Sequence, residues 1–232
     1  MTRLRRAQNL EPVAIGLAFL FDCDNTLIDN DAAKEEFGQR LEAALGAAGA
    51  ADFWSTYEAV RAGRTVVDIP VTISRFAAGD RERQERLRRV FFDFPFADFV
   101  YPDVPRVLAH ARSMGSVAVL SDGDQDFQRH KIKMSGLEEL VDGAVYVFDH
   151  KEVAIPQLVV ELPAERYVTV DDKPHLLTAL KAAINAPLTT VFVRQGKYAA
   201  AAPDGAGADL TLGSIGEFLN LTREDLTAFS AA

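Results

Sequence analysis

Cysteine is nearly absent from this 232-residue chain, with Cys23 the one thiol. A single thiol excludes an internal disulfide framework and a Cys-based zinc cluster. It also fits a reducing compartment. Long apolar runs are lacking as well. The longest, residues 13–21, is far shorter than the ~20 residues a membrane-spanning helix needs. Arg3, Arg5 and Arg6 precede it in loose imitation of a signal peptide. The run then meets Asp22 and Asp24, with no small-residue cleavage site beyond it. An excess of positive charge is also missing. The 25 Lys and Arg against 34 Asp and Glu leave a net charge of −9. That sign argues against a general nucleic-acid or anionic-membrane binder. The histidines, His110, His130, His150 and His175, show no metal-ligand spacing. The expectation is a soluble, cytoplasmic protein with no nucleic-acid and no membrane partner.

What is present is an ordinary globular composition, 48% apolar and 25% charged, which excludes bulk disorder. The length suits one or two domains at ~150 residues each. No repeat of solenoid period is visible. Residues 18–21 read as a short buried strand that stops at an acidic turn. Residues 31–92 read as helical, with Asp31 as a plausible N-cap and a small-residue break over 46–51. Residues 66–73 are ambiguous because Pro70 argues against a central strand. After Pro102 the rhythm alternates. Helices are expected over 104–114, 125–134, 153–162 and 174–183. Strands are expected over 117–120, 144–148, 167–170 and 189–193. A short strand (209–212) and helix (215–219) close the pattern, and 198–208 reads as a flexible loop. Such alternation predicts an α/β fold, a doubly wound and mainly parallel sheet with helices on both faces. The α/β core would use residues 1–30 and 103–232, and an inserted helical cap residues 31–102.

Three of the apolar strands each end in a polar cluster. Phe21 leads into Asp22-Cys23-Asp24-Asn25-Thr26, Leu120 into Ser121-Asp122-Gly123-Asp124, and Val170 into Asp171-Asp172-Lys173. In an open α/β sheet, ligands bind outside the carboxyl ends of the strands. Parallel strands therefore bring all three clusters to one edge. Asp22, Asp171 and Asp172 would repel one another unless a cation joined them, and oxygen ligands suit Mg²⁺. Asp22 and Asp24, two apart, can serve one crevice, one attacking and the other moving a proton. Ser121 offers a hydroxyl, and Gly123 lets backbone N–H groups approach an anion.

These residues resemble the motifs of the haloacid dehalogenase superfamily. Phe19-Leu20-Phe21-Asp22-Cys23-Asp24-Asn25-Thr26-Leu27 is similar to its first motif, Ser121 to its second and Asp171-Asp172 to its fourth. The resemblance implies a Rossmann-like core and phosphoryl transfer from a small phosphorylated substrate through an aspartyl-phosphate. It implies Asp22 as nucleophile and Asp24 as general acid, then base. Mg²⁺ would be held by the Asp22 carboxylate, the Asp24 carbonyl and Asp172, with Asp171 in support. Ser121, with the N–H groups around Asp122 and Gly123, would orient the phosphate. The third motif, a lysine, departs from the usual Gly-Lys-Pro. Lys151, in Asp149-His150-Lys151-Glu152, is the choice for the catalytic and substrate-binding cation, with Lys131 and Lys133 as rivals.

Carbon–halogen hydrolases of the superfamily need no metal and typically lack the second Asp of the first motif. Asp24 thus favours a Mg²⁺-dependent phosphomonoesterase. A dehalogenase-type hydrolase and a catalytically silent binding module remain the alternatives. The aromatic run Phe91-Phe92-Asp93-Phe94-Pro95-Phe96 is expected to pack between cap and core. A pocket wall or a homodimer patch are its other readings. Residues 81–89, rich in arginine, are expected to form a solvated helix face. Cys23 is expected to be a buried, unreactive residue behind the site.

Overall fold

The computed structural model describes residues 16–64, 67–203 and 207–229. Six short strands carry the fold: β1 (Leu17–Phe21), β2 (Gly115–Asp122), β3 (Val145–Phe148), β4 (Arg166–Asp171), β5 (Leu188–Val193) and β6 (Leu210–Leu212). Continuous apolar strands of this kind must be covered on both faces, which parallel sheets achieve through their crossover helices. All five pairings are parallel, in the order β3-β2-β1-β4-β5-β6. The chain winds outward from β1 through β2 to β3. It then returns to β4 on the other side of β1 and continues to β6. The reversal places a topological switch point between β1 and β4, where open α/β sheets form their crevice.

The two-residue period of β1 divides the core. Leu17, Phe19 and Phe21 enter one apolar cluster, and Ala18 and Leu20 enter the other. On the first face, Phe218 meets Phe21 edge-on at 5.4 Å between ring centroids. Helix α4 (Val104–Arg112) covers the same side through Val104, Val107 and Leu108. On the second face lie α7 (Ile155–Glu161) and α8 (Pro174–Ala183), through Ile155, Leu158 and Leu180.

The segment between β1 and β2 is helical: α1 (Asn30–Arg64), α2 (Ile69–Phe76) and α3 (Arg81–Phe92). The expected break over 46–51 shrinks to Gly46 alone. Its φ of 73° interrupts α1, and the helix resumes at once; only glycine takes that conformation cheaply. Of the ambiguous 66–73 stretch, residue 66 lies outside the described residues, and residues 69–73 start α2. Pro70 fits its first turn, and Asp68 Oδ1 caps Val71 N at 2.7 Å. Asp31 is not the cap of α1. Asp29 Oδ1 accepts from Ala32 N at 2.9 Å, while Asp31 Oδ2 accepts from Lys197 N at 2.7 Å.

These helices close over a third apolar cluster built on Phe37, Phe53, Phe91, Phe94 and Phe96. Phe127 joins it from α5 (Gln125–Met134), with ring centroids 5.5 Å from Phe92 and 6.0 Å from Phe96. The aromatic run thus packs the helical segment onto α5. Burying each such ring contributes about 1.5–3 kcal/mol. Helix α6 (Leu137–Leu140) follows α5. The expected 198–208 loop is in part helical, since α9 spans Gly196–Ala201. A Cβ on Gly196 would lie 2.5 Å from Asn25 Cγ, so glycine is what lets α9 approach the β1 loop. A 3-10 turn (Ile215–Asn220) replaces the expected 215–219 helix, and α10 (Arg223–Thr227) follows. Among the described residues no helix is long and apolar enough to cross a membrane.

Candidate active site

Register decides what meets at the sheet edge. Phe21 pairs with Val119 on one side and Val170 on the other. Asp22 N then donates to Val170 O at 2.9 Å, continuing the ladder one residue beyond β1. Asp22 therefore lies between the end of β2, which carries Ser121 and Asp122, and the end of β4, where Asp172 follows Asp171. The three clusters expected at one edge do converge there.

A buried lysine binds them. Lys151 Nζ donates to Asp22 Oδ1 at 2.5 Å and to Asp171 Oδ2 at 2.6 Å, and lies 3.9 Å from Asp122 Oδ2. Its side chain is 1% exposed. Burial alone would lower its pKa, but the carboxylates of Asp171, Asp22 and Asp122 hold it well above the ordinary lysine value. The backbone fixes this lysine too, since Lys151 N donates to Asp122 Oδ1 at 2.7 Å.

Of the two rivals, Lys133 is exposed on α5. Lys131 is buried and takes a different partner, Asp24 Oδ1 at 2.5 Å. One turn earlier on the same helix, Gln128 Nε2 donates to Ser121 Oγ at 2.7 Å and lies 3.3 Å from Asp24 Oδ2. Gln128 was not singled out from sequence. The available signal was its i, i+3 spacing from Lys131, on a helix whose N-cap, Asp124, is the last residue of the second cluster. Burial would raise the Asp24 pKa, but the charge and hydrogen bond of Lys131 outweigh it and lower the pKa.

Gly123 corrects one expectation. Its N–H donates to Phe148 O at 2.9 Å, so it is already engaged in extending the sheet. The neighbouring Asp122 carboxylate accepts from Lys151 N.

The acids divide into satisfied and unsatisfied oxygens. Asp171 Oδ1 accepts from Lys173 N at 2.8 Å and Oδ2 accepts from Lys151. Asp22 Oδ2 and both Asp172 oxygens are buried with no hydrogen-bond partner. Lys173 Nζ stands 3.7 Å from Asp172 Oδ1, outside hydrogen-bond distance. Burial, with the charge of Asp22, pushes Asp172 up to about 8, and burial pushes Asp22 up to about 6. Ligand oxygens of Asp22, Asp171 and Asp172 lie within 4.8 Å of one another. Orphaned buried carboxylate oxygens at this spacing fit a hard divalent cation. Cys23, fully buried beside them, has its thiol pushed up by burial and by Asp24, as expected for an unreactive residue.

A cavity of about 440 Å³ opens over these strand ends. Asp24, Lys131 and Asp122 form part of its floor, and Lys34, Trp54 and Tyr57 of α1 part of its wall.

The model of haloacid dehalogenase-like hydrolases matches residues 17–193, from β1 to the end of β5. The chain belongs to the haloacid dehalogenase-like hydrolase family. A haloacid dehalogenase-like hydrolase from Burkholderia xenovorans LB400 is 37% identical, with a TM-score of 0.82 over 89% of this chain and 98% of that one. Two more distant structures share the fold. One is a haloacid dehalogenase-like hydrolase from Xanthomonas campestris, 17% identical, TM-score 0.63, over 94% of this chain and 95% of that one. The other is L-2-haloacid dehalogenase from Xanthobacter autotrophicus, 19% identical, TM-score 0.57, over 89% and 98%. No curated protein sequence matches the chain. Within this hydrolase the match begins with β1, which runs directly into the acid pair Asp22 and Asp24. It also takes in the Asp171-Asp172 run.

Proposed function

We propose that this hydrolase is a Mg²⁺-dependent phosphomonoesterase acting on a small phosphorylated metabolite. The observation that carries the reading is the set of buried oxygens without a hydrogen bond, Asp22 Oδ2 and both of Asp172. Such a set is costly without a cation, and halide displacement has no use for one. Asp22, Asp172 and the Asp24 carbonyl would hold Mg²⁺, with Asp171 orienting Lys151 behind them. Bound there, Mg²⁺ screens the repulsion between carboxylate and phosphate and stabilises charge on the transferring group.

The chain's own groups then divide the work. Asp22 attacks phosphorus and becomes an aspartyl-phosphate as the ester oxygen departs. Asp24 enters the first step protonated, passes that proton to the departing oxygen, and regains one from the water that hydrolyses the acyl phosphate. The Lys131 ion pair favours the ionised form of Asp24, which suits the second step. Lys151 neutralises Asp22 and Asp171, and Ser121, positioned by Gln128, faces the transferred phosphate.

Turnover of p-nitrophenyl phosphate with Mg²⁺ and with EDTA tests the reading, beside chloride release from 2-chloropropionate. Phosphate release that stops in EDTA and falls at least about 10³-fold in Asp22→Asn is the expected result. Chloride release that persists without metal would overturn it.

A further inference from the structure

Above the acids, the cavity wall carries a cation that the proposed chemistry does not use. Lys34 lies one helical turn beyond Asn30, at the start of α1. Its Nζ stands 4.8 Å from the Tyr57 ring centroid and 5.7 Å from that of Trp54. Trp54, Tyr57 and Arg61 follow one another at helical spacings of three and four, so the second half of α1 turns one face to this cavity.

The nearby acids are engaged elsewhere. Asp31 accepts from Lys197 N at 2.7 Å and lies 3.6 Å from Lys197 Nζ. Glu58 lies 3.4 Å from Arg61. Lys34 therefore has aromatic faces but no carboxylate at ion-pair distance among the described residues. Burial, reinforced by the charges of Lys197 and Arg61, pushes its pKa below the ordinary lysine value. An environment that disfavours an ammonium is one in which a ligand anion is strongly welcomed. The floor of the same cavity already holds Lys131 and Lys173. Each faces a carboxylate of the site, Asp24 and Asp172 respectively.

From this arrangement we infer that the cavity has a second anion site, Lys34 backed by Tyr57 and Trp54. It selects phosphate monoesters whose leaving group carries its own carboxylate or phosphate at the far end. The inference rests on the phosphomonoesterase reading for the first anion and adds the class of leaving group. Trp54 supplies the probe, since it is the one tryptophan of the chain.

The test is equilibrium binding, in Mg²⁺, of alkylphosphonates with two to four methylenes. Each is compared as its methyl-, carboxylate- and phosphonate-terminated form. Calorimetry gives the affinity and Trp54 emission reports the place. At least one doubly anionic ligand should bind tenfold or more tightly than its methyl-terminated counterpart, with a change in Trp54 emission. Comparison of the carboxylate and phosphonate series then names the second anion. Lys34→Gln should reduce the preference to less than threefold, and Lys34→Arg should keep it. Equal affinities in the wild type, or a preference that survives Lys34→Gln, overturn the inference. Neither result touches the Mg²⁺-dependent release of phosphate from p-nitrophenyl phosphate, so the two readings fail separately.

Discussion

Lys151 donates to Asp22 Oδ1 at 2.5 Å across 129 positions of sequence. The contact joins the loop after β3 to the end of β1 through a side chain with almost no access to solvent. A buried cation between two carboxylates is costly to assemble, but removing it alone costs more. Lys151→Met leaves Asp22 and Asp171 facing each other uncompensated. It should lower stability in urea by about 3–5 kcal/mol. An unchanged midpoint would show that the ion pair carries no stability.

Lys131 should matter for rate more than for binding. It holds Asp24 ionised and oriented, and general acid–base groups contribute about 10²–10⁴-fold. Lys131→Met should therefore lower kcat by roughly 10–100-fold, part of that contribution. KM for the same phosphate ester should change less. Steady-state kinetics at saturating Mg²⁺ separate the two, and a rise in KM alone would count against the assignment.

Asp172 offers a test with a sign. Its two oxygens are buried without a hydrogen bond, so in EDTA the carboxylate opposes folding. Asp172→Asn should raise the melting temperature in EDTA and remove the stabilisation by Mg²⁺. For the wild type that stabilisation should reach about 2.7 kcal/mol at a hundred times Kd. Melting curves with and without Mg²⁺ decide, and equal Mg²⁺ responses in both proteins would exclude Asp172 from the cation site.

Asp209 links stability to pH away from the site. Partial burial opposes its ionisation. Hydrogen bonds from Lys181 Nζ, Thr190 N and Thr190 Oγ1 prevail and lower its pKa. The unfolded chain therefore binds the proton more readily than the folded one. The contribution is full above the unfolded carboxylate value of about 3.9, and it disappears as pH falls through the lower folded value. Asp209→Asn should cost about 1–3 kcal/mol at pH 7. The difference from wild type should shrink toward pH 2, as urea unfolding at both pH values would show.

Much of the site was legible before any fold was known, because strand ends announce themselves. Phe19-Leu20-Phe21 before Asp22, and Val168-Thr169-Val170 before Asp171, are short buried runs that stop at acids. Parallel pairing leaves such acids one place to meet. Gln128 gave no such signal, because a polar residue on a charged helix reads as solvated. Asp31 was misread for a related reason. Three acids or amides, Asp29, Asn30 and Asp31, precede the helix, and only the contact with Lys197 shows which one leaves the capping role.

The chain's local pattern was enough to determine an α/β sheet, the acids on its carboxyl edge and the helical segment between β1 and β2. Those features follow from strand and helix periodicities that act within a few residues. The partition of the charges was decided only in three dimensions. Lys151 took Asp22 and Asp171, Lys131 took Asp24, Asp172 was left without a hydrogen-bond partner, and Lys34 was left against aromatic rings. Ion pairing between residues a hundred positions apart depends on the register of β1 against β2 and β4. No local property of the sequence carries that register.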